Sequence, residues 1–186
     1  MNKILLIVDP QYDFISGSLK CEDAYEKMMN LVRHLKDNAD MYDKIVITLD
    51  WHPTNHCSFV ENGGEWPKHC VEYTQGAAVF QPILDAIPNN KKICFLTKGT
   101  DADVEEYSIM KNLHGNLTLK SIILNDIHSE INVCGVANEY CVKNTVNDLV
   151  KEGFGDKITI LSECIACVAT QEPLLKFAKD NNLKVK

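Results

Sequence analysis

Short, nearly continuous apolar runs recur along the chain at wide intervals. Residues 3–9, 44–50, 92–97, 131–136 and 157–162 are each dense in Ile, Val and Leu. Runs of this length and continuity predict strands covered on both faces. Between them the apolar spacing becomes helical. Over residues 24–39 it falls on Met28, Leu31, Val32 and Leu35, and over 140–151 on Cys141, Val142, Thr145, Val146 and Leu149. Residues 171–181 carry Leu174, Leu175 and Phe177 with Ala178 beside them, and lead to a last strand at 183–185. Residues 116–126 hold branched side chains that suit a strand as well as a helix. Strand alternating with helix predicts a three-layer α/β fold, a parallel sheet with helices on both faces. Residues 51–76 break the rhythm: they are rich in His, Pro, Gly and Asn and longer than an ordinary connection, which marks a functional loop.

The chemically capable residues stand where the runs end. The run 4–8 stops at Asp9, 45–49 at Asp50 and 93–97 at Lys98, and 133–136 is followed, after four intervening residues, by Cys141. Ligands of open α/β sheets bind outside the carboxyl ends of the strands. These four side chains are therefore expected on one rim, which predicts an enzyme.

Composition narrows the classes. A chain of 186 residues fits one domain, residues 1–186. Hydrophobic residues make up 45% and charged residues 24%, and the formal charge of -7 leaves no basic stripe, so neither nucleic acid nor an anionic membrane is an expected partner. The opening apolar run is too short for a secretory signal and ends at Asp9-Pro10 without a cleavage site, so it reads as a first strand and the expected location is cytoplasmic. The eight cysteines are scattered through strand-like and helix-like segments, as reduced, buried apolar fillers would be. Cys164 and Cys167 form a C-x-x-C, only half of a zinc-ribbon site.

Asp50 and His52 lie two residues apart at a strand end, where extended backbone points alternate residues the same way. His69 returns after the loop. One carboxylate and two imidazoles suit Zn²⁺ foremost, or Fe²⁺ or Mn²⁺, with positions left open for water or substrate. The plainer alternative is a polar loop with Asp50 capping a turn. His56 is either a further ligand or a group that orients the others, and whether Glu61 joins the shell is left open.

Cys141 lies where a strand passes through a short turn into a predicted helix. The positive helix start and a nearby lysine favour its thiolate, and the free N–H groups of that turn suit an oxyanion. Asp9 is placed to take the thiol proton and Lys98 to stabilise the charges.

With these residues the chain resembles the isochorismatase-like cysteine hydrolase superfamily, and within it the nicotinamidases/pyrazinamidases. The matching segments are Val8-Asp9-Pro10-Gln11-Tyr12-Asp13-Phe14, Asp50-Trp51-His52-Pro53, His56-Cys57-Ser58-Phe59 and Trp66-Pro67-Lys68-His69-Cys70. They continue through Lys98-Gly99-Thr100, Tyr107-Ser108 and Cys134-Gly135-Val136-Ala137-Asn138-Glu139-Tyr140-Cys141-Val142. The resemblance implies a six-stranded parallel sheet and an Asp9–Lys98–Cys141 triad. It implies a metal on Asp50, His52 and His69, and a cis peptide between Val136 and Ala137 that aims the Ala137 and Cys141 N–H groups into an oxyanion hole. It also implies a ring pocket walled by Phe14, Trp66 and Tyr107. Isochorismatases and carbamoylsarcosine-type amidases share the triad but lack this metal set, which points to nicotinamide as the small-molecule substrate. Ile109-Met110 after Ser108, and residues 116–130, depart from the family pattern. Another small or aromatic amide, or a catalytically silent binding homologue, is the alternative, and a homo-oligomer is left open.

Overall fold

The computed structural model describes residues 2–126 and 128–186. The strands β1 (Lys3–Val8), β2 (Lys44–Asp50), β3 (Ile93–Lys98), β4 (Glu130–Gly135), β5 (Ile158–Ile165) and β6 (Lys184–Val185) form one sheet in the order β3-β2-β1-β4-β5-β6. Every pairing is parallel. The central strand explains the unbroken apolar runs. From Ile4 to Val8 every side chain of β1 is fully buried, so neither face can carry polar residues.

The helices α1 (Tyr12–Ile15), α2 (Ala24–Asn38), α3 (Gln81–Ala86), α4 (Leu113–Leu124), α5 (Lys143–Lys151) and α6 (Glu172–Asp180) flank both faces. In α2 the buried stripe is Met28, Leu31, Val32 and Leu35, the spacing that predicted it. The ambiguous stretch 116–126 falls mostly in α4, started by Asn112, whose side chain accepts from the Gly115 N–H at 3.0 Å. Its period is masked because Leu119, Ile122 and Ile123 face inward while Leu117 and Leu124 face solvent. The helices α1 and α3 have only 4 and 6 residues, too few to show a period. Within residues 51–76 the chain makes one 3₁₀ turn, Val60–Asn62, and is pinned by bridges pairing His52 with Val71 and Phe59 with Trp66. No described helix is long and apolar enough to cross a membrane.

Strand order reverses between β1 and β4, which opens a crevice at their carboxyl ends. Register then sets the neighbours on that rim. Val8 pairs with Gly135, and Asp50 with Lys98. Gly135 has φ +123°, and a side chain there would meet the Val8 backbone, with its nitrogen at 2.6 Å. Only glycine allows β4 to approach β1 this closely.

Candidate active site

Lys98 ends β3 fully buried, and its ammonium joins three groups. Nζ lies 2.9 Å from Asp9 Oδ2, donates to Cys141 Sγ at 3.4 Å, and makes a short bond to Asp50 Oδ1. Burial works against the charge, but Asp50 and Asp9 outweigh it and hold the lysine pKa well above its ordinary value. Asp9 follows β1 in a left-handed backbone conformation, φ +47°, a strained position that persists only where its surroundings fix it. Its N–H donates to the Thr48 carbonyl at 3.1 Å, and Thr48 Oγ1 donates to Oδ1 at 2.7 Å.

The two carboxylates sharing Lys98 are driven apart. Burial raises the pKa of Asp9, more than Lys98 lowers it. Burial also opposes the charge on Asp50, but the Lys98 ammonium holds that carboxyl well below the usual range. Asp50 therefore stays ionised, while Asp9 is the carboxylate that can exchange a proton.

For Cys141 the expected bias toward thiolate is overturned. The side chain is only 5% exposed, burial drives the thiol pKa well above its ordinary value, and Lys98 offsets this only in part. The preceding turn, Asn138–Val142, is π-helical and passes into α5, so Cys141 sits inside a wound turn and not at an open helix start. The resting sulfur is a thiol that needs a base.

Beside this cluster, one ligand atom each from Asp50, His52 and His69 lies within 4.8 Å of the others. Asp50 Oδ2 is 3.6 Å from His52 Nε2 and 3.9 Å from His69 Nε2. The Nδ1 of His52 bonds the Gly99 carbonyl at 2.9 Å and that of His69 the Pro67 carbonyl at 2.8 Å. A carbonyl only accepts, so each Nδ1 carries the proton and each Nε2 presents a lone pair. His52 Nε2 is buried without a hydrogen-bond partner, an orphan that a cation would satisfy. The donor set fits a divalent ion. Gly99, at φ +63°, makes room, since a Cβ there would run into the His52 ring. His56 stacks on His52 with centroids 4.0 Å apart, while its nitrogens are engaged by Ser58 at 2.7 Å and the Val104 carbonyl at 3.1 Å. Glu61 is exposed and pairs with Lys68 at 2.6 Å. Neither is grouped with the three donors.

Both clusters open into a cleft whose lining includes Phe14, Trp66, Tyr107, Ala137, Asp50, His69 and Cys141. Trp66 Nε1 donates to Tyr107 Oη at 3.0 Å, fixing two of the rings. The Val136–Ala137 peptide is cis, and among the described residues no backbone acceptor takes the Ala137 N–H.

An isochorismatase domain matches residues 3–181. The chain belongs to the isochorismatase family. Within it, the chain is 31% identical to a nicotinamidase from Saccharomyces cerevisiae, over 96% of this chain and 94% of that one. It superposes with a TM-score of 0.77 on a pyrazinamidase of Pyrococcus horikoshii solved in complex with zinc, at 31% identity, covering 100% of this chain and 99% of that one. PnC1 from L. infantum, solved in complex with nicotinate, gives a TM-score of 0.81 at 28% identity, covering 100% of this chain and 92% of that one. This member of the isochorismatase family is an amide hydrolase.

Several site residues of this isochorismatase-family chain carry no signal in the sequence read alone. Tyr140 packs edge-on against Trp66 at 4.9 Å and tilted against Tyr107 at 5.6 Å, closing an aromatic wall. Glu105 and Val168 also line the cleft. Gln11 is fully buried and grips the Asp50 backbone from both sides: its Oε1 accepts the Asp50 N–H at 2.8 Å and its Nε2 donates to the Asp50 carbonyl at 2.7 Å. Asp9, Asp50 and Lys98 were visible because each stands at a strand end, whereas Gln11 acts across 39 residues of sequence.

Proposed function

We propose that this amide hydrolase converts nicotinamide to nicotinate and ammonia, and takes pyrazinamide likewise, through a thioester on Cys141. The observation that carries the reading is the single ammonium of Lys98 bonded to Cys141, Asp9 and Asp50 at the edge of an aromatic cleft bearing three converging metal donors.

The cleft takes one small aromatic ring, with Phe14, Trp66 and Tyr107 as walls. Asp50, His52 and His69 would hold a divalent cation, Zn²⁺ foremost with Fe²⁺ or Mn²⁺ as alternatives, and when bound it supplies a Lewis acid that fixes the ring nitrogen. Asp9 takes the Cys141 proton and becomes a neutral acid, and the thiolate so formed pairs with the Lys98 ammonium. The sulfur attacks the amide carbon, and the Ala137 and Cys141 N–H groups donate to the oxyanion. Asp9 returns its proton to the amide nitrogen, the C–N bond breaks and ammonia leaves. Water then gives a proton to Asp9 and attacks the thioester carbon, the C–S bond breaks, Asp9 returns that proton to the sulfur, and the acid released loses its own proton to solvent as nicotinate. One carboxylate serves as base and acid in turn.

The test is ammonia release from nicotinamide by the purified protein, with other small aromatic amides as competitors. Cys141→Ala is expected to abolish turnover while the bound metal, measured by elemental analysis, is retained. Substantial residual turnover would favour a metal-hydroxide hydrolase in which the sulfur is incidental. Preference for another amide would move the substrate, and an inactive wild-type protein would leave a binding homologue.

A further inference from the structure

The residue two places before the nucleophile has no role in the chemistry above, yet its side chain is among the most heavily bonded at the rim. Glu139 turns its carboxylate onto the loop between β5 and α6. Oε2 accepts the Val168 N–H at 2.9 Å, and Oε1 accepts the N–H groups of Ala169 and Thr170, both at 2.7 Å. Three successive backbone donors converging on one anion form a tight charge-assisted contact. Burial raises the carboxyl pKa, but these three donors outweigh it and leave it below the usual range.

The preceding residue stitches the same two segments together. The Asn138 N–H donates to the Ala166 carbonyl at 2.8 Å, and Asn138 Nδ2 donates to Gln171 Oε1 at 2.8 Å. Residues 168–170 are exposed, so apolar packing does little to hold them. Val168 nonetheless forms part of the cleft wall that also contains Cys141. A wall residue with little burial of its own takes its position from the hydrogen bonds of its backbone.

We propose that Glu139 is a positioning residue, whose carboxylate clamps the Val168–Thr170 backbone to the nucleophile turn and so sets the substrate-pocket wall formed by Val168. The clamp stands on its own geometry, and its effect on substrate rests on the amidase reading above. The site thereby gains a link in which the turn that carries the sulfur also fixes part of the cleft wall.

Two variants separate the clamp from general folding. Glu139→Ala removes all three acceptor contacts. Glu139→Gln keeps an oxygen for Ala169 and Thr170 but turns an amide N–H₂ toward the Val168 N–H. Backbone amide exchange at residues 168, 169 and 170 is expected to accelerate on the order of tenfold or more in Glu139→Ala. In Glu139→Gln the acceleration should be concentrated at Val168. With rates normalised to the reactive thiol titrated, KM for nicotinamide is expected to rise about tenfold in Glu139→Ala, with kcat changed less than about threefold. A purely structural role would reduce the fraction of reactive thiol and leave KM alone. Unchanged exchange at the three amides overturns the clamp, and accelerated exchange with an unchanged KM overturns its role in the pocket. If wild-type protein fails to turn over nicotinamide while exchange still accelerates, the substrate reading fails and the clamp stands.

Discussion

Lys98 sets the electrostatics of the whole cluster. It is fully buried, and so is Asp9, while Asp50 is 4% exposed. An ion this far from water is tolerable only among fixed opposite charges, and Lys98 has two. Lys98→Met preserves the length of the side chain but leaves two buried carboxylates facing each other. Breaking a buried pair in this way typically costs about 3–5 kcal/mol, so the urea midpoint at neutral pH should fall sharply. Lowering the pH should recover part of the loss as the carboxylates protonate. An unchanged midpoint would mean that water enters the cluster and carries the charge instead. The same residue explains why composition and spacing misjudged Cys141. A lysine nearby lowers a thiol pKa, but here its charge is divided among three partners, and the burial that secures it also disfavours the thiolate.

The elements deliver these side chains through strand register. Asp50 and Lys98 are cross-strand partners in the β2–β3 pair, and the turn after β3 brings Gly99 under the His52 ring. Glu106 holds that turn, accepting the Gly99 N–H at 2.7 Å. Gly99→Ala forces a side chain into left-handed backbone, at roughly 1–2 kcal/mol, and pushes its Cβ into the imidazole. Zinc affinity, measured by competition with a chromogenic chelator, is therefore expected to drop by about 10- to 100-fold, the range seen when groups orienting metal ligands are lost. Native-like affinity would show that the His52 ring is not held by this turn. Strand ends carrying Asp9, Asp50 and Lys98 were legible because continuous apolar runs in a parallel sheet stop where the rim begins. Legibility failed where a helix is apolar on two sides, as at Leu117 and Leu119 of α4, or too short for a period, as in α1. It failed again where one side chain spans the fold, as Gln11 does in gripping Asp50, since nothing local in Gln11 distinguishes it from a surface amide.

At the scale of the whole molecule, the site opposes the stability of the fold that holds it. Asp9 is buried, and its folded-state pKa lies above the ordinary 3.8. A carboxyl raised in this way favours folding while both states are protonated, and that contribution is lost as pH rises through the folded value. Asp50 acts in the other direction: its depressed pKa stabilises the fold above the ordinary carboxylate range, and that contribution is lost progressively as pH falls below it. Replacing Asp9 by Asn keeps the shape and a partner for Thr48 but removes the titration. The variant should lose turnover, because no base remains for the thiol. It should also gain stability relative to wild type, and the gap should widen as pH rises from about 4 through the folded pKa of Asp9 and then level off. Asp50 stays ionised in both folded proteins across pH 4–8, so the pH dependence of the difference between their urea unfolding curves, with the metal ion held constant, follows the titration of Asp9. A gap that stays flat or narrows with rising pH would show that the ammonium of Lys98 fully compensates the burial of Asp9, and that the proton acceptor of the reaction is ionised without cost to the fold.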